Sequence, residues 1–425
     1  MAQKGGRRRR RRRRAEDPAL EPLCCCEYIG RDGARSHVAA CICDCQELDD
    51  GCDRWISGKP LAPGAFERIL DTISDRCRIP WLRGARKVDI SILPPLVLLP
   101  ALLHVAAWHL LLGVVILASL PALTLWYYYL THRRGDQTLF FLSLGLFSLG
   151  YMYYTFLREV APRGRVGPAQ LATLTCGLGL TLLALRRAKE DPGYLRRPGD
   201  GAAGPESPNG RLVLARLESR EDWCTQCRLV RPARAGHCRL CQLCVRRMDH
   251  HCVWINNCVG ESNHRAFLLA LSLFLLTSGY GIALTLGTIC PERSIFTALF
   301  YCPGVYATSS VQCSTMLPAG ARGLPLIDGL IPCVSVSSAL SFTCSWYCAI
   351  ITAGMGYIFL IQLINISCNV TEREAGRALR GQTGRRLLCG LGVDPGQYNR
   401  GFLSNWRHFC TLGAPPRPLP SEDVV

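Results

Sequence analysis

Residues 222–267 read DWCTQCRLVRPARAGHCRLCQLCVRRMDHHCVWINNCVGESNHRAF, and the rest of the chain is organised around this stretch. Its cysteines and histidines follow the spacing C-x2-C, nine residues, H-C-x2-C-x2-C, four residues, D-H-H-C, five residues and a last cysteine. Thiolates and imidazoles at such separations are the ligands that tetrahedral zinc requires. The ten candidate side chains are Cys224, Cys227, His237, Cys238, Cys241, Cys244, His250, His251, Cys252 and Cys258.

The candidate ligands outnumber what two closed zinc sites need. Two four-ligand sites use eight of the ten side chains, so one thiol and one imidazole are left over. One interpretation is a purely structural zinc module with two spare side chains. The other is a reactive site, because the surplus falls within the Asp-His-His-Cys run 249–252. A nucleophilic cysteine needs a base and a group that orients the base, and this run offers both.

The stretch resembles the cysteine-rich domain of the DHHC-type protein S-acyltransferases, the palmitoyltransferases. The family pattern is matched at every position, and Asn263 and Phe267 fit the asparagine and phenylalanine that follow it. The resemblance implies that Cys252 is the nucleophile, His250 its base and Asp249 the group that orients His250. It also implies a long-chain acyl-CoA donor such as palmitoyl-CoA. The acceptors would be cytosol-facing cysteines of membrane or membrane-associated proteins.

The resemblance further implies the zinc ligands, which the spacing alone leaves ambiguous. Both Zn²⁺ ions would be structural, because a closed four-ligand site has no open position for substrate or water. They would hold rigid a short segment that has little apolar core of its own. One ion would take Cys224, Cys227, His237 and Cys244, and the other Cys238, Cys241, His251 and Cys258.

Composition separates the chain into apolar and basic blocks. Lys and Arg number 49 against 32 Asp and Glu, and hydrophobic residues make up 49%. The 25 cysteines could suggest a secreted disulfide scaffold, but the chain opens with charge and we expect no cleavable signal peptide. The densest cysteine cluster has metal spacing, so we expect it to be reduced and to face the cytosol.

Apolar stretches predict an α-helical polytopic membrane protein with six transmembrane helices. Residues 90–131 contain no Asp, Glu, Lys or Arg and are too long for one span of about 20 residues, so we expect two spans joined near His104–His109. Four further spans are expected at 138–157, 166–185, 266–290 and 345–366. The predicted segments are a basic, Cys-rich N-terminal region 1–89, two additional helices 90–131, helices three and four 138–185, a linker 186–221, the cysteine-rich domain 222–265, helices five and six with a long lumenal loop 266–366, and a C-terminal tail 367–425.

Basic residues at the ends of these spans predict the orientation. The run Arg7–Arg14, the turn at Arg133–Arg134 and the block after Leu185 share one side of the membrane if four spans precede the cysteine-rich domain. The positive-inside rule places that side, and hence both termini, in the cytosol. We favour a solvated tail as the interpretation of the arginine run, and attraction to the anionic lipid of the cytosolic leaflet is the alternative. The family resemblance implies an endomembrane location, in the Golgi or endoplasmic reticulum, or else the plasma membrane.

Shorter motifs outside the cysteine-rich domain also fit the family. They are the Asp-Pro-Gly motif after the fourth span, a glutamate after the sixth span, where Thr-Thr-x-Glu is usual, and an asparagine and an aromatic in a C-terminal element expected to pack on the zinc domain. Arg246 and Arg247 are candidates for binding the CoA phosphates, and a solvated basic face is the alternative. The motif residues are Asp191, Pro192, Gly193, Glu372, Asn405 and Phe409.

The extreme C-terminus, Ser421–Val425, has the form x-Asp-x-Val with a free carboxylate. Four prolines precede it and favour an extended chain. Such a tail fits a PDZ domain, for example that of neuronal nitric oxide synthase, which adds the peptide as a sheet-edge strand. An unremarkable acidic tail is the alternative.

Two other classes of membrane protein are alternatives to a transferase. A non-catalytic scaffold predicts that Cys252 is dispensable. A transporter or channel predicts polar or charged residues inside the spans, and we expect none beyond histidine. Nucleic-acid binding is not expected, because the zinc segment lacks a helix with finger spacing.

Overall fold

A computed structural model describes two compact units, residues 1–93 and 94–425. The arginine run 7–14, most of the linker 186–221, loop residues 307–337 and the tail 413–425 lie outside the described residues, so the predictions for them are not tested by the structure. The described residues are 24, 26–30, 35–38, 52–54, 56–58, 75–82, 84–134, 138–195, 222–303, 305–306, 338–381, 385–387, 391–393 and 398–412.

The first unit contains two short antiparallel hairpins. Strand β1 (Glu27–Ile29) pairs with β2 (Arg35–His37), and β3 (Arg78–Ile79) pairs with β4 (Arg86–Lys87). Tyr28 is buried, and the guanidinium of Arg78 lies 4.0 Å from its ring centroid.

Apolar helices dominate the second unit. The helices from residue 93 to residue 367 are α1 (Leu93–Ala106), α2 (Leu110–Arg134), α3 (Phe140–Thr155), α4 (Pro168–Ala188), α5 (His264–Ile289), α6 (Ile295–Phe300) and α7 (Ser338–Ser367). Helix α3 continues through a π-helical segment, Phe156–Val160, and a 3-10 turn, Ala161–Arg163.

Five of these helices are long and apolar enough to cross a membrane: α2, α3 with its extension, α4, α5 and α7. The first helix of the added pair, α1, has 14 residues and therefore a length of about 21 Å, whereas the hydrocarbon core is about 30 Å thick. The break between α1 and α2 falls at residues 107–109, close to the predicted junction. The sixth span thus stays a prediction.

Helix α5 packs along α4 and α7 and forms the centre of the bundle. Gly177 in α4 permits close contact with α5, because a Cβ there would lie 2.6 Å from Thr277 Oγ1. The added helices cover the N-terminal half of α7 with an apolar cluster. Its buried members are Leu99, Leu103, Leu117, Leu340, Cys344 and Tyr347.

The cysteine-rich domain consists of three two-stranded antiparallel hairpins. Each hairpin is short and has little apolar surface, so side-chain clusters between the hairpins must supply the stability. The pairs are β5 (Trp223–Cys224) with β6 (Leu229–Val230), β7 (Gly236–Cys238) with β8 (Leu243–Val245), and β9 (His250–Cys252) with β10 (Asn257–Val259).

The chain after α7 returns to the cysteine-rich domain. Helix α8 (Glu372–Arg380) begins with a capping box, in which the Thr371 side chain accepts from Glu374 N–H and the Glu374 carboxylate accepts from Thr371 N–H. A hairpin of β11 (Arg385–Leu387) and β12 (Leu391–Val393) follows, and then helix α9 (Phe402–Thr411).

Candidate active site

Strand β9 separates the two adjacent histidines of the Asp-His-His-Cys run. Successive side chains of a strand point to opposite faces, so His250 and Cys252 share one face and His251 occupies the other. The register pairs His251 directly with Cys258 across the hairpin. Local strand geometry therefore assigns His251 to a cysteine cluster and leaves His250 beside Cys252.

The first Cys/His cluster gathers the ligands that the family resemblance implied for one zinc ion. His237 Nδ1 lies 3.7, 3.3 and 3.8 Å from the Sγ atoms of Cys224, Cys227 and Cys244. A tetrahedral zinc with Zn–S of about 2.3 Å and Zn–N of about 2.0 Å separates its ligand atoms by about 3.5–3.8 Å. The donor set and its spacing fit a structural zinc site.

The second cluster is of the same kind and interleaves with the first in sequence. His251 Nδ1 lies 3.6, 3.4 and 3.7 Å from the Sγ atoms of Cys238, Cys241 and Cys258. The Sγ atoms of Cys258 and Cys241 are 3.5 Å apart. This set also fits one zinc ion, so the residues predicted as metal ligands lie together in the two groups that were expected.

The three predicted catalytic residues lie together around the start of strand β9. Asp249 Oδ2 accepts from His250 Nδ1 at 2.8 Å, and Cys252 shares the strand face of His250. Asp249 is 1% exposed and Cys252 is 7% exposed. The ring of Phe267 packs edge-on against His250, with the centroids 5.6 Å apart. The base therefore has a fixed orientation next to the thiol.

The electrostatics of this group favour an ionised aspartate and stabilise the imidazolium that His250 becomes when it takes a proton. Burial acts to raise the pKa of Asp249, but the hydrogen bond and charge of His250 and the backbone N–H of Glu372 hold it well below its usual range. Burial acts to lower the pKa of His250, but its contacts with Asp249 and Cys252 raise it well above its usual value. The pair can thus hold a proton on His250.

Glu372 lies at the first turn of α8, directly against the group. Its backbone N–H donates to Asp249 Oδ1 at 2.9 Å, and its carboxylate Oε2 lies 3.3 Å from His250 Nδ1. Thr371, the residue before Glu372, caps α8 and is 1% exposed. The short turn after α7 thereby delivers a backbone donor to Asp249.

An apolar cavity opens next to Cys252 and extends between α3, α4, α5 and α7. Along α7 its lining runs from Ile358, near the cysteine, to Ser341. At 1.5 Å per residue this corresponds to about 25 Å of helix. Trp254 and Phe267 line the end beside Cys252, while Tyr347 lines the cavity farther along α7 and shares a 2.8 Å hydrogen bond with Ser148. The cavity has the polarity and length to hold a long acyl chain.

The two arginines before the motif have different environments. Arg246 is exposed, so it can meet an anionic ligand. Arg247 is 6% exposed, and its guanidinium faces His264 at 3.3 Å and Asn369 at 3.4 Å. Burial lowers the pKa of Arg247 to about 10. The burial argues against Arg247 as a ligand for CoA phosphates, because its side chain points into the protein.

The Asp-Pro-Gly motif joins α4 to the cysteine-rich domain. Asp191 Oδ1 accepts from the N–H groups of Gly193 and Tyr194, both at 2.8 Å, and Ser262 N–H donates to Pro192 O. Gly193 has φ +102° and its carbonyl accepts from Arg246 N–H. The motif thus acts as a turn that fixes the end of a transmembrane helix to the domain.

The C-terminal element packs on helix ends as well as on the first residue of α5. Asn405 Nδ2 donates to Ser367 O at 2.7 Å, and Phe409 packs with Ile366. The Phe409 ring lies edge-on to His264, with centroids 5.1 Å apart. We expected packing on the zinc domain; the contacts run mainly to the ends of α5 and α7, because the exposed ends of these helices carry the apolar surface that Phe409 covers.

Two buried amide side chains inside a predicted span contradict the expectation that the spans contain no polar residue beyond histidine. Gln362 is 0% exposed and Asn365 is 3% exposed, and both lie in α7. Gln362 Nε2 donates to Asp249 Oδ2 at 3.0 Å. The sequence did contain a signal for this contact, namely a glutamine in an otherwise apolar helix, because a buried amide requires a hydrogen-bond partner.

Comparison with known proteins agrees with this site. The family model described as DHHC palmitoyltransferase matches residues 217–378. Palmitoyltransferase ZDHHC23 of Mus musculus is 63% identical over 445 residues, covering 96% of this chain and 98% of the relative. The Homo sapiens palmitoyltransferase ZDHHC23 is 60% identical over 433 residues (93% and 99%), and the Danio rerio palmitoyltransferase ZDHHC23-B is 46% identical over 446 residues (97% and 98%). With this identity over nearly its whole length, the chain belongs to the DHHC palmitoyltransferase family and is a protein S-palmitoyltransferase.

Proposed function

We propose that the transfer proceeds through an acyl-enzyme thioester on Cys252. The observation that carries this proposal is the position of Cys252, which lines the apolar cavity and lies on the same strand face as a histidine oriented by Asp249. The direct test is palmitate labelling of the wild type and of Cys252→Ser, followed by neutral hydroxylamine.

The proposed chemistry balances without an energy source. His250 takes the Cys252 proton, and the thiolate attacks the thioester carbonyl of acyl-CoA. The new C–S bond forms as the bond to CoA breaks, and the CoA thiolate receives the proton from His250. In the second step His250 takes the proton of a target cysteine, whose thiolate attacks the acyl-enzyme, and Cys252 leaves and is reprotonated. Each step exchanges one thioester for another.

The two parts of the acyl-CoA donor, the acyl chain and CoA, need different surroundings. The acyl chain occupies the apolar cavity, while the CoA portion stays in water near exposed Arg246. An arginine binds phosphate oxygens through its fork of N–H donors. A thiol between an apolar cavity and a basic surface can meet both halves of acyl-CoA.

The two Cys/His clusters hold structural Zn²⁺, and the protein ligands fill all four positions of each site. Bound zinc would supply the stability that six strands of two or three residues cannot provide. The chemistry is left to Cys252, which belongs to neither cluster.

The cysteine-rich domain faces the cytosol and the α5–α6 turn faces a lumen. The thiols of the cysteine-rich domain are grouped for metal binding. A disulfide instead joins Cys290 and Cys302, which follow the C-terminal end of α5. Reduced metal-binding thiols belong in the cytosol, and disulfides form in oxidising compartments. This arrangement supports an endomembrane location with both termini in the cytosol.

The proposed orientation predicts opposite responses to an impermeant maleimide in cells whose plasma membrane alone is permeabilised. Cys410, exposed in α9, should be labelled without reductant. Cys290 and Cys302 should remain unlabelled until detergent and reductant are both added, because the lumen is closed and the thiols are oxidised. Labelling of Cys290 from the cytosol without reductant would overturn this orientation.

The C-terminal Ser421–Val425 recruits a PDZ-domain protein, such as neuronal nitric oxide synthase. The support is the sequence itself: an acid two residues before a free valine carboxylate, which PDZ domains capture through backbone N–H groups.

Deleting Val425, or changing Asp423 to alanine, should weaken PDZ binding of the full-length protein at least about tenfold, a loss of roughly 1.4 kcal/mol. Glu422→Ala is the matched control, because it removes one charge from the tail without altering either recognised position. Equal binding by all four proteins in a pull-down would remove this proposal and leave the transferase mechanism untouched.

A further inference from the structure

Three buried polar side chains lie behind Asp249 and do not line the apolar cavity. They are Arg247, after strand β8; His264, the first residue of α5; and Gln362, in α7. Their exposed fractions are 6%, 1% and 0%. Burying such groups beside apolar helices is costly unless each finds a hydrogen-bond partner. Their partners here are one another, the Asn369 side chain beside Arg247, and the catalytic aspartate.

The contacts form a continuous chain. Arg247 Nη1 lies 3.3 Å from His264 Nδ1, and His264 Nε2 lies 2.7 Å from Gln362 Oε1. Gln362 Nε2 then lies 3.0 Å from Asp249 Oδ2, which is also 2.8 Å from His250 Nδ1. The route connects the loop before the motif, the first turn of α5 and the C-terminal half of α7.

The chemistry of the first member gives the chain a direction. Arginine has only donors, so His264 Nδ1 must accept and His264 Nε2 must carry the hydrogen. Gln362 Oε1 accepts that hydrogen, which turns the amide N–H₂ toward Asp249. An ionised carboxylate has only acceptors, so His250 Nδ1 donates to Asp249 and the lone pair of Nε2 is the one free to take a proton.

We propose that Arg247, His264 and Gln362 form a one-way hydrogen-bond chain that aims the Asp249 carboxylate and so keeps His250 in the tautomer that serves Cys252. They are positioning residues for acyl transfer and touch neither acyl chain nor CoA. The proposal rests on the acyl-enzyme mechanism proposed above. It also gives the buried arginine a role other than phosphate binding.

The chain couples the reacting group to the helices that carry the acyl cavity. The Asp249 carboxylate accepts from three donors: His250 Nδ1, the Glu372 N–H and Gln362 Nε2. His250 is the proposed base itself, and the Glu372 N–H bonds the other carboxylate oxygen, Oδ1. Gln362 is thus the donor that shares Oδ2 with His250, and its loss frees the carboxylate to turn away from the base.

The decisive experiment measures single-turnover acyl-enzyme formation on Cys252 in full-length protein, with palmitoyl-CoA, together with zinc content. Gln362→Met removes the amide at nearly constant shape. We expect a rate about 10- to 100-fold lower, the loss typical of one hydrogen bond to a charged group. Zinc should stay at the wild-type stoichiometry, and half-saturation by palmitoyl-CoA should be unchanged because Gln362 is outside the cavity.

Two further variants test the donor-to-acceptor direction of the hydrogen-bond chain rather than only its presence. Gln362→Glu retains an acceptor for His264 but offers Asp249 a carboxylate instead of a donor, so its rate should fall at least as far as that of Gln362→Met. His264→Gln can still accept from Arg247 and donate onward, and should recover at least part of the activity that His264→Phe loses. Thr288→Val is the matched control in α5, because that buried hydroxyl bonds only within its own helix at Leu284 O.

The outcomes separate the inference from the proposed mechanism. If wild-type protein forms no acyl-enzyme on Cys252, the mechanism fails. If wild type does and Gln362→Glu matches its rate, the positioning chain is wrong and the mechanism stands. Loss of zinc in parallel with activity in both Gln362 variants would also overturn the inference, since it would indicate a purely structural role.

Discussion

Cys252→Ser is expected to abolish both hydroxylamine-sensitive labelling of the cysteine-rich domain and transfer to target proteins, with a fall of at least about 1,000-fold. A serine hydroxyl at this position is a much weaker nucleophile than the thiolate, because His250 would have to deprotonate a far weaker acid. Any slow attack by serine would give an oxygen ester, which neutral hydroxylamine does not release. Mass spectrometry of the peptide containing residue 252 distinguishes these states.

The control must separate Cys252 from bystander thiols. Cys410→Ser removes an exposed thiol in α9 that lies outside the catalytic group and the cavity, so transfer should be unchanged. Label on Cys410 or on the N-terminal cysteines would not count as the intermediate. Substantial transfer to a target by Cys252→Ser would refute the acyl-enzyme mechanism and favour the non-catalytic scaffold.

His250→Ala and His251→Ala should have different defects, although the two residues are adjacent. His250→Ala removes the base, so acyl-enzyme formation should fall about 100- to 10,000-fold while both zinc ions remain bound. His251→Ala removes one ligand of the cluster formed with Cys238, Cys241 and Cys258, so that site should lose its metal and the domain its stability. Native mass spectrometry and thermal unfolding measure the two effects.

The physical reason for the difference is the alternation of strand β9. His251 faces Cys258 across the hairpin, whereas His250 faces Asp249 and Phe267. His237→Ala is a useful comparison, because it removes the imidazole of the other cluster and should resemble His251→Ala in zinc loss. Equal zinc loss in His250→Ala and His251→Ala would show that the assignment of the two histidines is wrong.

Much of the site follows from the sequence because its ligands are close together along the chain. Ligand spacing indicated two zinc sites and a surplus thiol and imidazole, and the family pattern distributed the ligands into the groups that the structure gathers. The membrane helices were predicted from long apolar stretches without charge, which depend only on composition. Five such helices are present among the described residues, and the short α1 leaves the sixth span open.

Other parts of the site depend on contacts between distant segments, which spacing does not encode. Arg247 looked like a phosphate ligand because two arginines precede the motif, but the turn after β8 leaves Arg246 exposed and buries Arg247 in the protein. Gln362 and His264 are 98 residues apart in sequence and still share a hydrogen bond. Arg234 similarly forms an ion pair with Glu374, although two helices of membrane-spanning length, α5 and α7, separate the two residues in the chain.

The sequence by itself determined the clustering of cysteines and histidines, the surplus thiol and imidazole in the Asp-His-His-Cys run, and the apolar helices, because each of these is a local pattern of residue types. Tertiary structure alone decided where the acyl cavity lies, which of the two arginines is exposed, and how Asp249 is held by α7 and by the first turn of α8. These features arise when helix ends far apart in the chain converge on one strand. Burial then forces each polar group to find its partner, and the sequence does not state which partner that will be.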